Sequence, residues 1–225
     1  MGHPKIIYHQ TTKEFVHNTI DLISQSAKNA IGNHGKFHIV LTGGETPRLI
    51  YNRLIYLVTD WSAWEFYITD ERITPKCDEQ LNQLMIRNEF LNLVPVHESQ
   101  IHFVKAGYDM ETAAISYNQI LKNAPIFDLT LIGIGEDGHV ASLFPGNDMG
   151  SEPGSPDVLS VYNSPKPPSQ RVSLSMNRLN KSVKIMIIAS GERKRNIVDD
   201  FCKGAEIPAL YIKGLEETIL LYCTS

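Results

Sequence analysis

Two hydrophobic rhythms alternate along this chain. Short, mostly apolar runs read as strands buried within a sheet: "KIIYH" (5–9), "KFHIVLT" (36–42), "WEFYIT" (64–69), "IHFV" (101–104), "FDLTLI" (127–132) and "VKIMIIA" (183–189). Between them, apolar residues recur at three- and four-residue steps. In the first such segment Phe15, Ile20, Leu22, Ile23, Ala27, Ala30 and Ile31 form the stripe of a helix. Thr11 or Thr12 opens that helix with Glu14 in its first turn, and the "GNHG" at 32–35 ends it. The pattern predicts further helices from about Pro47, over 80–92, over 111–122 and over 191–202. It adds strands at "VLSVY" (158–162), "RVSLS" (171–175) and "ALYI" (209–212), with "TILLYC" (218–223) as an edge strand. Strand–helix alternation of this kind predicts an α/β fold: a largely parallel, Rossmann-like sheet covered by helices on both faces, in a single domain over residues 1–225.

Composition narrows the functional classes. Hydrophobic residues make up 42% and charged residues 20% of 225, which suits one full hydrophobic core. The net charge of −4 argues against nucleic acid as partner, since binding phosphate backbones takes a basic stripe. The one basic run, "ERKR" (192–195), reads as the solvated face of a helix, with a local phosphate contact as the alternative. No apolar run approaches the ~20 residues that span a bilayer, and "MGHPKIIYHQ" has no apolar signal core. Cys77, Cys202 and Cys223 are odd in number, widely spaced and without a CxxC, which fits a reducing compartment and gives no metal site. "HESQIH" (97–102) misses zincin spacing, and no G-x-S-x-G elbow is present. The expectation is a cytoplasmic protein, free of membrane and nucleic acid, monomeric or weakly dimeric.

The polar residues that interrupt the pattern gather at strand ends, where open α/β sheets bind ligands. "GIGEDGHVASLFPG" (133–146) follows the strand at 127–132, and Gly133, Gly135 and Gly138 satisfy the dinucleotide pattern G-x-G-x-x-G. That reading fails on context. Only His139 to Phe144 separate the glycines from Pro145-Gly146, so no long helix is there to hold a pyrophosphate, and no acid ends a second strand about 20 residues on. What fills the pattern is Asp137-Gly138-His139: an imidazole able to act as a base near neutral pH, with a carboxylate beside it.

Three other strand ends carry matching chemistry. "LTGGETP" (41–47) joins a strand to a helix through Gly43 and Gly44, with Thr46 in the first turn; it is either a tight turn or a cradle of free amides for an anion. "ITDERITP" (68–75) sets Asp70, Glu71 and Arg72 just past a strand, as an exposed charged turn or as contacts for a ligand. "SPKPPSQR" (164–171) stiffens Lys166 and Arg171 with prolines, which lowers the entropy cost of fixing cations against an anion. It closes a Pro/Gly/Ser-rich break over 145–170 that is long enough to be functional.

In this order, "LTGGETP", "TDERITP", "GIGEDGHVASLFPG" and "SPKPPSQRVSLS" resemble the 6-phosphogluconolactonase family. The related glucosamine-6-phosphate deaminases share the glycine turn and the D-G-H loop, but their loop continues with an F-N-E-P-G-like segment carrying a further catalytic glutamate. Here Ser142-Leu143-Phe144-Pro145-Gly146 stands there without that acid. The chain departs from its relatives at Glu45, where a small hydroxyl residue is common, and in lacking the alanine-rich closing helix. The resemblance implies hydrolysis of 6-phospho-D-glucono-1,5-lactone, a small sugar phosphate, in the pentose phosphate pathway, without a metal or other cofactor. His139 would be the general base, with Asp137 orienting either His139 or the sugar hydroxyls. Asp70 would contact a substrate hydroxyl, Arg72, Lys166 and Arg171 would hold the phosphate or the oxyanion, and Gly43, Gly44 and Thr46 would line the pocket. The competing readings are an amino-sugar-phosphate deaminase, a non-catalytic sugar-phosphate-binding regulator and, more distantly, a nicotinamide-dependent oxidoreductase.

Overall fold

The computed structural model describes residues 4–75, 78–105 and 107–225; Met1–His3 and Cys77 therefore lie outside the described residues. In chain order the regular elements are β1 (Lys5–His9), α1 (Thr12–His34), β2 (Phe37–Leu41), α2 (Glu45–Leu54), β3 (Trp64–Ile68), β4 (Asp70–Arg72), α3 (Asn82–Glu89), β5 (Ile101–His102), α4 (Met110–Leu121), β6 (Phe127–Gly133), β7 (Val158–Val161), β8 (Arg171–Leu174), α5 (Met176–Leu179), β9 (Ser182–Ser190), α6 (Arg195–Cys202) and β10 (Glu217–Cys223). Seven strands form one wholly parallel sheet in the order β1-β10-β9-β6-β2-β3-β5. From β2 the chain steps outward to β3, and from β6 it steps outward the other way to β9. Connections that diverge like this leave a crevice between β2 and β6 at the carboxyl ends of the strands.

Burial explains why the pattern was readable. Ile185 to Ala189 in the central strand β9 are all buried, as both-face coverage requires. On β1, His9 packs edge-on against Phe15 of α1, while the adjacent Tyr8 meets Cys202 of α6. Successive strand residues face opposite ways, so helices cover both faces. α1 is capped by Thr11, whose side chain accepts the Glu14 N–H at 3.2 Å, and it ends at Gly35.

Four expectations need correction. "TILLYC" is not an edge: β10 lies between β1 and β9, and its last five residues are buried. "ALYI" is not a strand; Pro208–Tyr211 is a 3₁₀ turn, because proline cannot join a ladder and the Ala209 N–H goes instead to Gly138 O at 3.0 Å. The helix expected over 191–202 begins as a 3₁₀ turn, Glu192–Lys194. The charged triplet Asp70-Glu71-Arg72 is a strand in its own right, in a second, antiparallel sheet ordered β4-β8-β7.

Thr69 is the seam between the sheets. Its N–H reaches Leu41 O on β2, and its carbonyl receives the Leu174 N–H from β8, both at 2.8 Å. Val158, Val172 and Leu174 of the small sheet share one hydrophobic core with β6 and β9. In the small sheet Asp70 pairs with Ser173 and Arg72 with Arg171, so the sheet carries charge to the mouth of the crevice.

Candidate active site

A cavity of about 790 Å³ occupies the crevice. The β2–α2 turn forms one wall. Tyr51, buried on α2, reaches back and holds both backbone groups of Thr42, accepting its N–H at 3.0 Å and donating to its carbonyl at 2.9 Å. Gly43 follows; a Cβ there would overlap the side-chain amide of Asn82, which is itself buried and donates to Asp70 O at 2.9 Å. Asn82 and Gln83 N–H groups in turn bind the carboxylate of Glu71, whose carboxyl burial pushes up to about 7 against its amide donors. α2 then begins at Gly44 with no side-chain cap, so its first amides keep their donors at the cavity, where the helix dipole favours an anion. The Thr46 hydroxyl adds a polar point, 2.7 Å from Ser190 Oγ at the end of β9.

The loop after β6 forms the second wall. Gly138 N–H bonds Gly135 O at 3.0 Å and Gly135 N–H bonds His139 O at 2.8 Å, a tight turn that folds Asp137 back against His139. His139 Nδ1 and Asp137 Oδ1 are 2.5 Å apart. An ionised carboxylate only accepts, so Nδ1 carries the proton and Nε2 is left as the basic nitrogen of a ring that lines the cavity. A Cβ at Gly135 would overlap the imidazole, so this dyad exists only because position 135 is glycine. The ring leans on Phe144, with centroids 4.6 Å apart. Burial lowers the His139 pKa below its ordinary 6.5, and the hydrogen bond and charge of Asp137 oppose that shift. Asp137 sits behind the base, outside the cavity wall; its carboxyl is lowered because His139 outweighs its own burial.

A base with a depressed pKa is neutral over most of the physiological range. With His139 as the general base, kcat/KM is therefore expected to rise with pH through a value below 6.5 and then level. Asp137→Asn removes the group that raises the pKa, so the acid limb should move to still lower pH while the plateau falls. A pH profile of both proteins from about pH 5 to 8 checks this; an acid limb that moves upward would refute the orientation of the dyad.

Cations ring the opening. Arg72 and Arg171 meet it from β4 and β8, and Lys166 from the proline stretch. Arg171 is buried and largely committed: Nη2 donates to Lys166 O at 3.0 Å, Nε to Pro168 O at 3.2 Å, and the guanidinium lies 5.7 Å from the Phe144 centroid. Arg72 donates to the Gln80 carbonyl. Asp70 also reaches the wall, but its oxygens already accept from Ser142 Oγ at 2.7 Å and Thr69 Oγ1 at 2.8 Å. Every residue expected at the site thus lines the cavity except Asp137.

Sequence reasoning missed Arg193 and Lys194. Reading "ERKR" as a solvated face holds for the exposed Arg193 but not for Lys194, although the 3₁₀ turn after β9 carries both to the cavity. Lys194 is half-buried, donates to Ile134 O at 2.7 Å, and has its pKa lowered by burial. The missed signal was position: these cations stand directly after a buried strand. Among the described residues, no group of three or more His, Cys, Asp or Glu could hold a metal ion.

Fold and site together define an open parallel α/β protein with an uncapped helix N-terminus and a His–Asp dyad at its switch point. Residues 10–220 match the family described as glucosamine-6-phosphate isomerases/6-phosphogluconolactonase, and the chain belongs to that family. It is 33% identical to 6-phosphogluconolactonase of Mycobacterium leprae over 88% of this chain and 87% of that protein. The crystal structure of 6-phosphogluconolactonase from Thermotoga maritima superposes with a TM-score of 0.91 at 26% identity, covering 98% of this chain and all of the other. A monomeric glucosamine-6-phosphate deaminase superposes with a TM-score of 0.82 at 19% identity over 97% of each chain, so both activities occur on this fold.

Proposed function

We propose that the chain hydrolyses 6-phospho-D-glucono-1,5-lactone to 6-phosphogluconate, a step of the pentose phosphate pathway, in the cytoplasm and without a cofactor. Its family and lactonase relatives support this, and one observation carries it over the deaminase reading. The position before Pro145-Gly146, where the deaminase loop places a catalytic glutamate, holds Phe144, which is buried against His139. At that position the site has an apolar ring where the deaminase's catalytic acid would stand. That equips it for addition of water to a carbonyl rather than for the extra proton transfers of deamination.

In this mechanism Nε2 of His139 takes a proton from water as the water oxygen bonds to the lactone carbonyl carbon. The tetrahedral oxyanion collapses, the bond from that carbon to the ring oxygen breaks, and the imidazolium returns the proton to the ring oxygen. Asp137 holds the ring's orientation and stabilises the imidazolium. The phosphate takes the cradle made by the Gly43–Gly44 turn, the first amides of α2, Thr46 and Lys194. Arg72, Lys166 and Arg171, which ring the opening, stabilise the developing oxyanion or the sugar hydroxyls.

A coupled assay with freshly prepared phosphogluconolactone, run beside glucosamine 6-phosphate, tests the reading. Accelerated formation of 6-phosphogluconate without ammonia release is expected, and ammonia release with no effect on the lactone would overturn it. Lys194→Met keeps most of the side chain's length and removes its charge. It should raise KM by about tenfold or more with kcat changed less than about threefold, since a charge-assisted contact to a spectator phosphate serves ground and transition states alike. A kcat loss with unchanged KM would move Lys194 from the phosphate to the reacting carbonyl.

A further inference from the structure

The strongest unassigned feature is the tie between the catalytic loop and the small sheet. Val140 to Leu143 form a reverse turn closed by the Leu143 N–H to Val140 O bond at 2.9 Å. Its second residue, Ala141, has φ +50°, and it is the one non-glycine residue with positive φ among the described residues. Glycine is the residue that position normally takes. An alanine stays there only if its surroundings hold the turn in place. Ala141 is also part of the cavity wall, two residues past the base.

What holds it is Ser142. This side chain is buried, lies outside the cavity wall, and donates its hydroxyl to Asp70 Oδ2 at 2.7 Å. Its N–H reaches Ser173 Oγ at 3.3 Å, and Ser173 is the cross-strand partner of Asp70. The other carboxylate oxygen of Asp70 takes Thr69 Oγ1, which lies 3.0 Å from Thr42 Oγ1 at the start of the glycine turn. One buried carboxylate therefore links the base's loop, the sheet that carries Arg72 and Arg171, and the anion cradle.

From this we infer that Ser142 is a positioning residue: its hydrogen bond to Asp70 locks the left-handed turn at Ala141 and so sets His139 in register with the two walls of the site. The inference rests on the lactonase reading for its kinetic test only. Asp70, on this account, acts through Ser142 as well as facing the cavity.

Ser142→Ala should still fold, with a melting temperature a few degrees below the parent's because the buried Asp70 carboxylate loses a donor. It should lower kcat for the lactone by about tenfold and leave KM within about twofold, because misplacing a base by a fraction of an ångström weakens the transition state and not phosphate binding. Ser142→Cys, which keeps the volume and weakens the donor, should show the same selective loss. Adding Ala141→Gly to Ser142→Ala should recover at least about threefold of the lost kcat, since glycine holds a positive φ without an anchor. A purely structural serine would give no such recovery. Independently of any substrate, the ¹⁵N signals of the two His139 ring nitrogens should be well separated in the parent above the pKa. They should move toward each other in Ser142→Ala as the ring loses its single tautomer. An unchanged kcat with unchanged His139 signals, or a loss that Ala141→Gly fails to relieve, overturns the assignment. If the parent itself does not hydrolyse the lactone, the functional reading fails and the ring signals alone decide the positioning role.

Discussion

His139→Ala is expected to lower kcat for lactone hydrolysis by about 10²–10⁴-fold, the range a positioned general base supplies, equivalent to about 3–5 kcal/mol of barrier. KM should change little, because the phosphate cradle lies on the other wall. The loss should be almost purely chemical. Asp137, left without its partner, has a side chain 37% exposed and can turn to solvent, so no buried charge is stranded. The melting temperature should therefore stay close to the parent's. What the ring does leave is a gap beside Phe144, a modest packing loss at the cavity edge. Steady-state kinetics beside a thermal melt separates the two effects. Undiminished kcat in a folded variant would remove His139 from the mechanism.

Gly135→Ala should cost nearly as much activity through a residue that performs no chemistry. Position 135 does not have positive φ, so alanine is not strained there by its backbone. The added methyl instead falls on the His139 imidazole and close to the Asp137 carboxylate. A side chain rotates aside more cheaply than a backbone moves, so the fold should survive and the dyad should not. We expect a loss in kcat of at least about 10²-fold, as for other misplacements of a reacting group by about an ångström. The pH profile should change too: a His139 freed from Asp137 and swung toward water loses both the raising and the lowering influence, so its acid limb returns toward 6.5. Kinetics, a thermal melt and the pH profile together check this. Parent-like kcat would mean that the dyad seen here is not the working arrangement.

Much of this was legible because the relevant physics is local. The strands of the main sheet declared themselves by continuous apolar runs, α1 by its stripe and its Thr11 cap, and the β6 loop by glycines followed by Asp137-Gly138-His139. The failures had local causes as well. "ALYI" is as apolar as a strand, and only the commitment of its Ala209 N–H to Gly138 turns it into a 3₁₀ support for the catalytic loop. Asp70 to Arg72 look like an exposed charged turn because nothing in three polar letters announces the β8 partner a hundred residues away. Lys194 looks like part of a helix's wet face until the turn after β9 brings it, half-buried, over the cavity. The four cavity-facing stretches were found one by one, but their distances from one another were not.

By itself, then, the sequence determined the class of fold and the family, and it picked out the His139–Asp137 pair and most of the cations that the structure gathers at the cavity. Each is written in residue type and spacing within one short segment, where chain geometry leaves few options. Only the tertiary structure decided that Asp137 stands behind His139, that glycine is obligatory at 135, that Lys194 belongs to the site, and that Ser142 is tied to Asp70 from 72 residues away. Those are contacts between segments, set by sheet order and by the seam at Thr69, and no periodicity within a segment encodes which other segment it will meet.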